Sequence, residues 1–160
     1  MSKILVAYFS CSGVSKNVAK LLSEELNANL YEIKPQIPYT DADLDWTNNN
    51  SRSTKEMKNR KQRPAISDKN AGIENYNIIL LSFPIWWSVA PTIVNTFLEA
   101  YDFKGKKIIL FATSSGGGFG ETLKNLKGSV DESTLIEEAK VFHGRVTQSE
   151  FGKFIKNFKI

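Results

Sequence analysis

The fold of this chain is decided near its start, by the apolar run ILVAYF at residues 4–9 and the hydroxyl-rich run SCSGVSK at residues 10–16. An unbroken apolar run of this length is typical of a strand that is buried on both faces, as in a parallel sheet. Apolar residues then recur at helical spacing and predict an amphipathic helix over residues 15–27. A strand, a polar loop and a helix in this order begin a parallel α/β unit.

Strands and helices continue to alternate along the rest of the chain. Further strands are predicted at residues 30–33, 76–82 and 106–113, and in the second half of residues 135–142. Further helices are predicted from Pro91, placed at the first helical position, over residues 120–127, and from a capping box at Thr147 and Glu150. This order predicts an α/β fold with a parallel sheet, right-handed crossovers and helices on both faces.

The domain organisation follows from length and from one long polar stretch. With 160 residues and no internal repeat, residues 1–160 are expected to form a single domain. Residues 35–72, called the 35–72 segment below, lack sustained periodicity and are predicted to be an insertion with one or two short helices around residues 53–59. The insertion separates the second predicted strand from the third.

Composition excludes several classes of protein. Hydrophobic residues make up 41% and charged residues 24%, as in folded globular proteins and unlike disordered ones. The longest apolar run, residues 78–87, is shorter than the ~18–20 residues that span a bilayer, and no signal peptide is recognisable, so we expect a cytoplasmic protein. A single cysteine, Cys11, and a single histidine, His143, exclude an internal disulfide and multi-cysteine or multi-histidine metal centres.

The net charge of +4 comes from one segment. Residues 52–63 carry a local charge of +5, so the rest of the chain sums to −1. A solvated basic face is the first interpretation, and attraction of an acidic partner or of a phosphate-bearing cosubstrate is the alternative. Nucleic acid is not expected as a partner, because no aromatic platform is interleaved with these charges.

Three loops follow strongly predicted strands and would meet at the carboxyl edge of the sheet, where ligands of such folds bind. In the first, residues 10–16, three serines, one glycine and a helix start suit a phosphate group. The loop is neither a Walker A loop nor a G-x-G-x-x-G fingerprint. An ordinary serine-rich loop with a single helix cap is the alternative.

The second and third loops suit a flat ligand. In residues 83–91 two adjacent tryptophans, Trp86 and Trp87, cannot both point into the core, so one indole is expected to cover an apolar surface. In residues 113–120 three consecutive glycines let the backbone approach a ligand closely. The alternatives are core packing or an oligomer contact for the tryptophans, and a flexible turn for the glycines.

Together these loops resemble those of the flavodoxin-like family of FMN proteins, over essentially the whole chain. The family's phosphate loop reads roughly T/S-x-T/S-G-x-T/S, which Ser10, Ser12, Gly13 and Ser15 match. The resemblance implies a three-layer α-β-α sandwich with a five-stranded parallel sheet of order 2-1-3-4-5, the order known for flavodoxin itself. It also implies FMN as cofactor, with the second loop against one side of its ring and the third at the other edge. The implied cofactor-binding residues are Ser10, Cys11, Ser12, Gly13, Val14, Ser15, Pro84, Ile85, Trp86, Trp87, Ser88, Thr113, Ser114, Ser115, Gly116, Gly117, Gly118 and Phe119.

The resemblance implies two alternative roles. The favoured role is a flavodoxin-type electron-transfer protein, a monomer or homodimer that exchanges electrons with redox partner proteins or a small-molecule donor or acceptor. The alternative is an FMN-dependent NAD(P)H or quinone reductase, with residues 52–63 attracting a phosphorylated nucleotide.

Two departures from electron-carrier flavodoxins bear on this choice. Those carriers are typically acidic, whereas this chain is basic. Their first flavin loop usually has a glycine whose peptide turns, but no glycine lies between Gly72 and Gly105. Such a turn would therefore place a residue with a side chain at positive φ, at a cost of about 1–2 kcal/mol.

Overall fold

A computed structural model describes residues 3–160 and contains a single five-stranded sheet within them. The elements in chain order are β1 (Ile4–Tyr8), α1 (Val14–Leu26), β2 (Asn29–Glu32), α2 (Arg52–Lys58), a 3-10 turn (Ile73–Asn75), β3 (Ile78–Pro84), α3 (Thr92–Glu99), β4 (Lys107–Ser114), α4 (Thr122–Lys127), β5 (Leu135–His143) and α5 (Gln148–Ile155). All strand pairs are parallel, and the order across the sheet is β2-β1-β3-β4-β5. The predicted 2-1-3-4-5 sheet is confirmed.

The alternation of side chains along the strands produces three layers. In β1 and just after it, Leu5, Ala7 and Phe9 face one side of the sheet, where α3 and α4 pack. Val6 and Tyr8 face the other side, against α1 and α5. Because each strand of the central three is apolar on both faces, it can be covered by helices on both sides, which is the α-β-α sandwich the pattern predicts.

Two local predictions differ from the structure. The whole of residues 135–143 is a strand rather than only its second half; β5 is an edge strand with a register shift opposite Leu110 and Phe111, so its outer residues are exposed and the apolar pattern is interrupted. Pro91 has extended ψ and lies just before α3, at the N-cap rather than at the first helical position. Its carbonyl accepts the first bond of the helix, from the Val94 N–H at 3.0 Å.

The topology fixes the position of the candidate site. The order of strands reverses between β1 and β3, so the loops after these two strands diverge and leave a crevice at their carboxyl ends. The 35–72 segment returns to this same edge, with α2 inside it as the sequence predicts. Within residues 3–160, no helix is long and apolar enough to cross a membrane.

Candidate functional site

The first loop is shaped to offer free N–H groups. The Ser10 hydroxyl accepts the Gly13 N–H at 3.0 Å, which closes the loop, and Gly13 has φ 91° at the N-cap of α1. The first intrahelical bond runs from the Asn17 N–H to the Gly13 carbonyl. The N–H groups of residues 14–16 therefore have no partner within the helix. They point out of the N-terminus of α1, which is the positive end of the helix dipole. This is the geometry that holds a phosphate.

The three serines of this loop have different roles. Ser12 is exposed, whereas Ser15 is buried and its hydroxyl lies 2.7 Å from that of Thr113 at the end of β4. The Ser82 hydroxyl also donates to the Ser15 carbonyl at 2.9 Å. Ser15 thus ties the first loop to β3 and β4, while the Ser12 hydroxyl is left for a ligand.

The second loop is a tight hairpin. Trp86 and Val89 exchange backbone hydrogen bonds at 2.8 and 3.2 Å, and the two residues between them, Trp87 and Ser88, both have positive φ, 50° and 68°. This is the pattern of a two-residue turn of type I′, usually made by Asn-Gly. Although this loop has no glycine, two residues with side chains therefore occupy the left-handed region in it.

The hairpin separates the two indoles as predicted. Trp86 packs inward, edge-on to Phe9 at 5.6 Å and to Tyr39 at 5.5 Å between ring centroids. Trp87, at the first turn position, is 45% exposed. Trp86 therefore packs against the core, and Trp87 is exposed at the carboxyl ends of the strands.

The third loop packs closely against the hairpin. Gly120, at φ 55°, lies so close to the Ser88 carbonyl that a Cβ on it would stand 2.0 Å from that oxygen. The Ala90 N–H donates to the buried Thr122 hydroxyl at 3.0 Å, and the Ile85 N–H donates to the Thr113 carbonyl at 2.8 Å. The hairpin and the third loop are therefore packed as one unit.

A cavity of about 350 Å³ opens between the first loop and the hairpin. Its lining combines residues of both loops with three from the 35–72 segment: Ser10, Cys11, Ser12, Ser15, Pro84, Ile85, Trp86 and Trp87, together with Leu44, Trp46 and Ser53. The volume is in the range of small-molecule sites, and the mixture of hydroxyls at one wall and indoles at others suits an amphipathic flat ligand. The cavity lies in the crevice that the strand order predicts.

The sequence did not predict three of these lining residues, because the 35–72 segment has no periodicity that would place it against the strand ends. Trp46 is 72% exposed, and Ser53 is 2% exposed with no hydrogen-bond partner for its Oγ. A tryptophan within a polar stretch was the one signal that could have pointed to this segment.

A side-chain network within the 35–72 segment holds Tyr39, whose ring packs edge-on against Phe9 and Trp86 at the site. The buried Glu56 carboxylate accepts from the Arg52 guanidinium at 3.0 Å and from the Tyr39 hydroxyl at 2.5 Å. Arg52 also donates to the Ile37 carbonyl at 2.7 Å, and its guanidinium lies 3.8 Å from the centre of the Tyr39 ring. Burial, followed by the hydrogen bond to Glu56, raises the pKa of Tyr39, so this phenol remains a donor at neutral pH.

The same contacts explain the arginines of the basic segment at residues 52–63. Besides Arg52, Arg60 donates to the Ala90 carbonyl at 3.4 Å and Arg63 pairs with Glu99 at 3.0 Å. Arg60 and Arg63 thus fasten the residues after α2 to the body of the protein, whereas Arg52 bonds within the 35–72 segment. The lysines of the segment remain exposed.

Cys11 lines the cavity but is a poor nucleophile. Burial raises the pKa of its thiol to about 11; the nearby Arg52 lowers the pKa and the nearby Glu56 raises it. The thiolate is the reactive form, so with this raised pKa the Cys11 thiol, although exposed to solvent, stays mostly protonated at neutral pH. Residues 3–160 contain no group of three or more histidine, cysteine or acidic side chains that could hold a metal ion.

The remaining predicted site residues lie at the same edge but outside this cavity. Gly13 and Val14 line an adjoining cavity of about 410 Å³, which shares Ser12 and is otherwise lined by Lys16, Asn17, Lys20 and Arg145. Residues 113–119 line neither cavity. The Ser114 hydroxyl accepts from the Gly116 and Gly117 N–H groups, which closes the third loop on itself. Ser88 also lines neither cavity and is exposed at the second position of the hairpin turn.

Comparison with known proteins identifies the family. The sequence profile of the family described as Flavodoxin matches residues 3–158, so the chain belongs to the flavodoxin family. A putative flavoprotein from Bacteroides eggerthii DSM 20697 has 40% identity and a TM-score of 0.86, over 98% of this chain and 97% of that one. A putative flavoprotein from Bacteroides uniformis ATCC 8492 has 38% identity and a TM-score of 0.86, over 98% and 99%.

A more distant relative shares the fold. The flavoprotein from Lactobacillus acidophilus NCFM, whose crystal structure is a complex with FMN, has 24% identity and a TM-score of 0.70, over 97% of this chain and 99% of that one. No curated protein matches the chain by sequence.

Proposed function

We propose that this protein binds one FMN non-covalently in the 350 Å³ cavity and works as a flavodoxin-type electron-transfer protein. The observation that carries the proposal is the cavity itself, which joins a loop with free N–H groups to a wall of indoles at the switch point between β1 and β3. Membership of the flavodoxin family and the FMN complex of a structural relative support FMN as the cofactor. Bound FMN would supply the redox chemistry.

The residues present fit each part of this cofactor. The first loop would hold the phosphate through the N–H groups at the start of α1 and the hydroxyl of Ser12. Ile85, Trp87 and Trp46 would cover the flat ring and keep water from it. FMN is preferred to FAD, because a single terminal phosphate matches this loop and the glycine pattern for a pyrophosphate is absent.

The electron-transfer role is favoured over the reductase role by the contacts of the basic segment. The reductase hypothesis gave residues 52–63, three of whose cations are arginines, the role of attracting a phosphorylated nucleotide. In the structure these arginines are engaged with Glu56, Ala90 and Glu99. A side chain already held by a carboxylate or a carbonyl is a weak phosphate ligand, so this segment offers a nucleotide only its exposed lysines. We expect the protein to exchange electrons with redox partners instead.

Cofactor content tests the first half of the proposal. The purified protein should be yellow or become so with FMN, and the fluorescence of added FMN should be quenched at a ratio of one per chain. Ser12→Ala should weaken FMN by about 1–3 kcal/mol, since a charged acceptor loses a donor, and should leave riboflavin affinity unchanged. Heat-released supernatant without flavin, combined with unquenched FMN, would reject the cofactor.

Turnover tests the second half. The FMN-loaded protein is mixed under air with NADPH and a quinone, and oxidation of NADPH is followed at a range of protein concentrations. An electron-transfer protein should oxidise NADPH only slowly unless a partner reductase is added. Rapid turnover by the protein alone would favour the reductase, and Lys55→Ala and Lys58→Ala would then show whether the exposed lysines bind the nucleotide.

A further inference from the structure

We propose that Ser53, supplied by the 35–72 segment, hydrogen-bonds the polar edge of the flavin ring and so makes this segment a determinant of cofactor binding. The inference rests on the proposed function, because it assigns a partner within the same cavity. The observation behind it is the hydroxyl itself: Ser53 lines the cavity, is 2% exposed, and its Oγ has no hydrogen-bond partner. Buried polar atoms without partners are rare and costly in native proteins.

Two other buried side-chain atoms within residues 3–160 also lack a partner, Thr92 Oγ1 and Asn95 Oδ1, but of the three residues only Ser53 lines the cavity. Ser51 and Thr54 on the same stretch bond each other at 2.8 Å, and the Ser51 oxygen also accepts the Thr54 N–H as the N-cap of α2. A serine inside a helix usually satisfies its hydroxyl with the carbonyl three or four residues earlier. Ser53 is the second residue of α2, so those carbonyls belong to residues before the helix.

Ser53 is held firmly in this place. Its N–H donates to the Asp43 carbonyl at 2.9 Å, which fastens it to the part of the segment that also supplies Leu44 and Trp46. The next turn carries Glu56, which bonds Arg52 and the Tyr39 hydroxyl, and the Tyr39 ring packs against Phe9 and Trp86 at the strand ends. With the backbone fixed, rotation about χ1 is the only motion needed to turn the hydroxyl toward a ligand. Because only this one rotation is fixed on binding, the ordering cost of the donor is small.

The surroundings of Ser53 select the ring rather than the phosphate. The phosphate end already has the N–H groups at the start of α1 and the Ser12 hydroxyl. Leu44 and Trp46, the other lining residues of the segment, are apolar or aromatic and suit a ring face. A neutral hydroxyl in such surroundings matches the neutral nitrogen and oxygen atoms along one edge of the flavin ring.

Three ligands distinguish the parts of the cofactor: FMN, riboflavin, which lacks the phosphate, and lumiflavin, which lacks the side chain as well. We expect Ser53→Ala to bind all three about tenfold more weakly than the wild type, equivalent to about 1.4 kcal/mol. Ser53→Cys, similar in size but a weak hydrogen-bonding group, should show the same loss. Ser12→Ala is the control and should weaken FMN alone.

Thermal unfolding of the ligand-free protein separates a binding role from a structural one. Removing an unpaired buried hydroxyl should raise Tm of the ligand-free protein by about 2–4 °C for Ser53→Ala. Ser51→Ala, which removes a satisfied cap from the same helix, should lower it. Unchanged affinities, a loss confined to FMN, or a lowered Tm for Ser53→Ala would each overturn the assignment. If the wild type binds none of the three flavins, it is the proposed function that fails.

Discussion

The cavity has two walls that are built in different ways. The strand-end wall, residues 10–15 and 84–87, is held by backbone hydrogen bonds and by the sheet, as in the hairpin bonds between Trp86 and Val89. The segment wall, made by Leu44, Trp46 and Ser53, contains no strand and is held by the backbone bond from the Ser53 N–H to the Asp43 carbonyl and by the side-chain network around Glu56. A wall held by the sheet can be read from strand patterns, and a wall held by loop bonds and side chains cannot. Substitutions in the strand-end wall and in the segment wall should therefore destabilise the protein in different ways. The substitutions below run from the largest expected effect to the smallest.

Gly120→Ala tests the rigidity of the strand-end wall. The new Cβ would stand 2.0 Å from the Ser88 carbonyl oxygen, and alanine is strained at φ 55°. Because the hairpin is packed against the third loop, neither backbone can move freely, and the free energy of unfolding should fall by about 2–4 kcal/mol. Chemical denaturation measures it. Gly116→Ala, where a Cβ meets open space, is the control and should change stability little.

Glu56→Ala tests the segment wall. Removing the carboxylate leaves the half-buried Arg52 and the Tyr39 hydroxyl without their common partner, at a cost of about 2–3 kcal/mol. Since the sheet does not depend on this network, the loss should be local: hydrogen exchange should accelerate in residues 35–62 and not in β1 or β3. Tyr39→Phe, which removes one bond only, should cost about 1 kcal/mol. Uniform acceleration across the sheet would contradict the separation of the two walls.

Ser15→Ala sharpens the comparison within the strand-end wall. The Thr113 hydroxyl, buried beside Ser15, would lose its partner at 2.7 Å, so stability should fall by about 1–2 kcal/mol. FMN and riboflavin should then weaken together, because the loop rather than a phosphate contact is disturbed. Isothermal titration with both ligands checks this. A loss restricted to FMN would mean that Ser15 contacts the phosphate after all.

Ser88→Gly is expected to have the smallest effect, and it is stabilising. Ser88 occupies a left-handed conformation at φ 68°, which glycine adopts without steric cost. The free energy of unfolding should rise by about 0.5–1 kcal/mol, and FMN affinity should remain close to that of the wild type. Val89→Gly, outside the left-handed positions of the turn, should instead destabilise.

Much of this protein was determined by its sequence alone. The unbroken apolar runs predicted the strands, their alternation with helices predicted the parallel sheet, and the loops after β1 and β3 indicated where the cavity opens, because parallel strands place their carboxyl ends at one edge. The hydroxyls at Ser10 and Ser12 and the separation of Trp86 from Trp87 also followed from local pattern.

Tertiary structure decided what depends on contacts between distant residues. It bonded Ser15 to Thr113, engaged the arginines of residues 52–63 with partners inside the protein, and placed Ser53 in the lining of the cavity. Periodicity records which face of an element is buried, whereas a side-chain network between a loop and a sheet leaves no periodic trace, so only the folded chain reveals it.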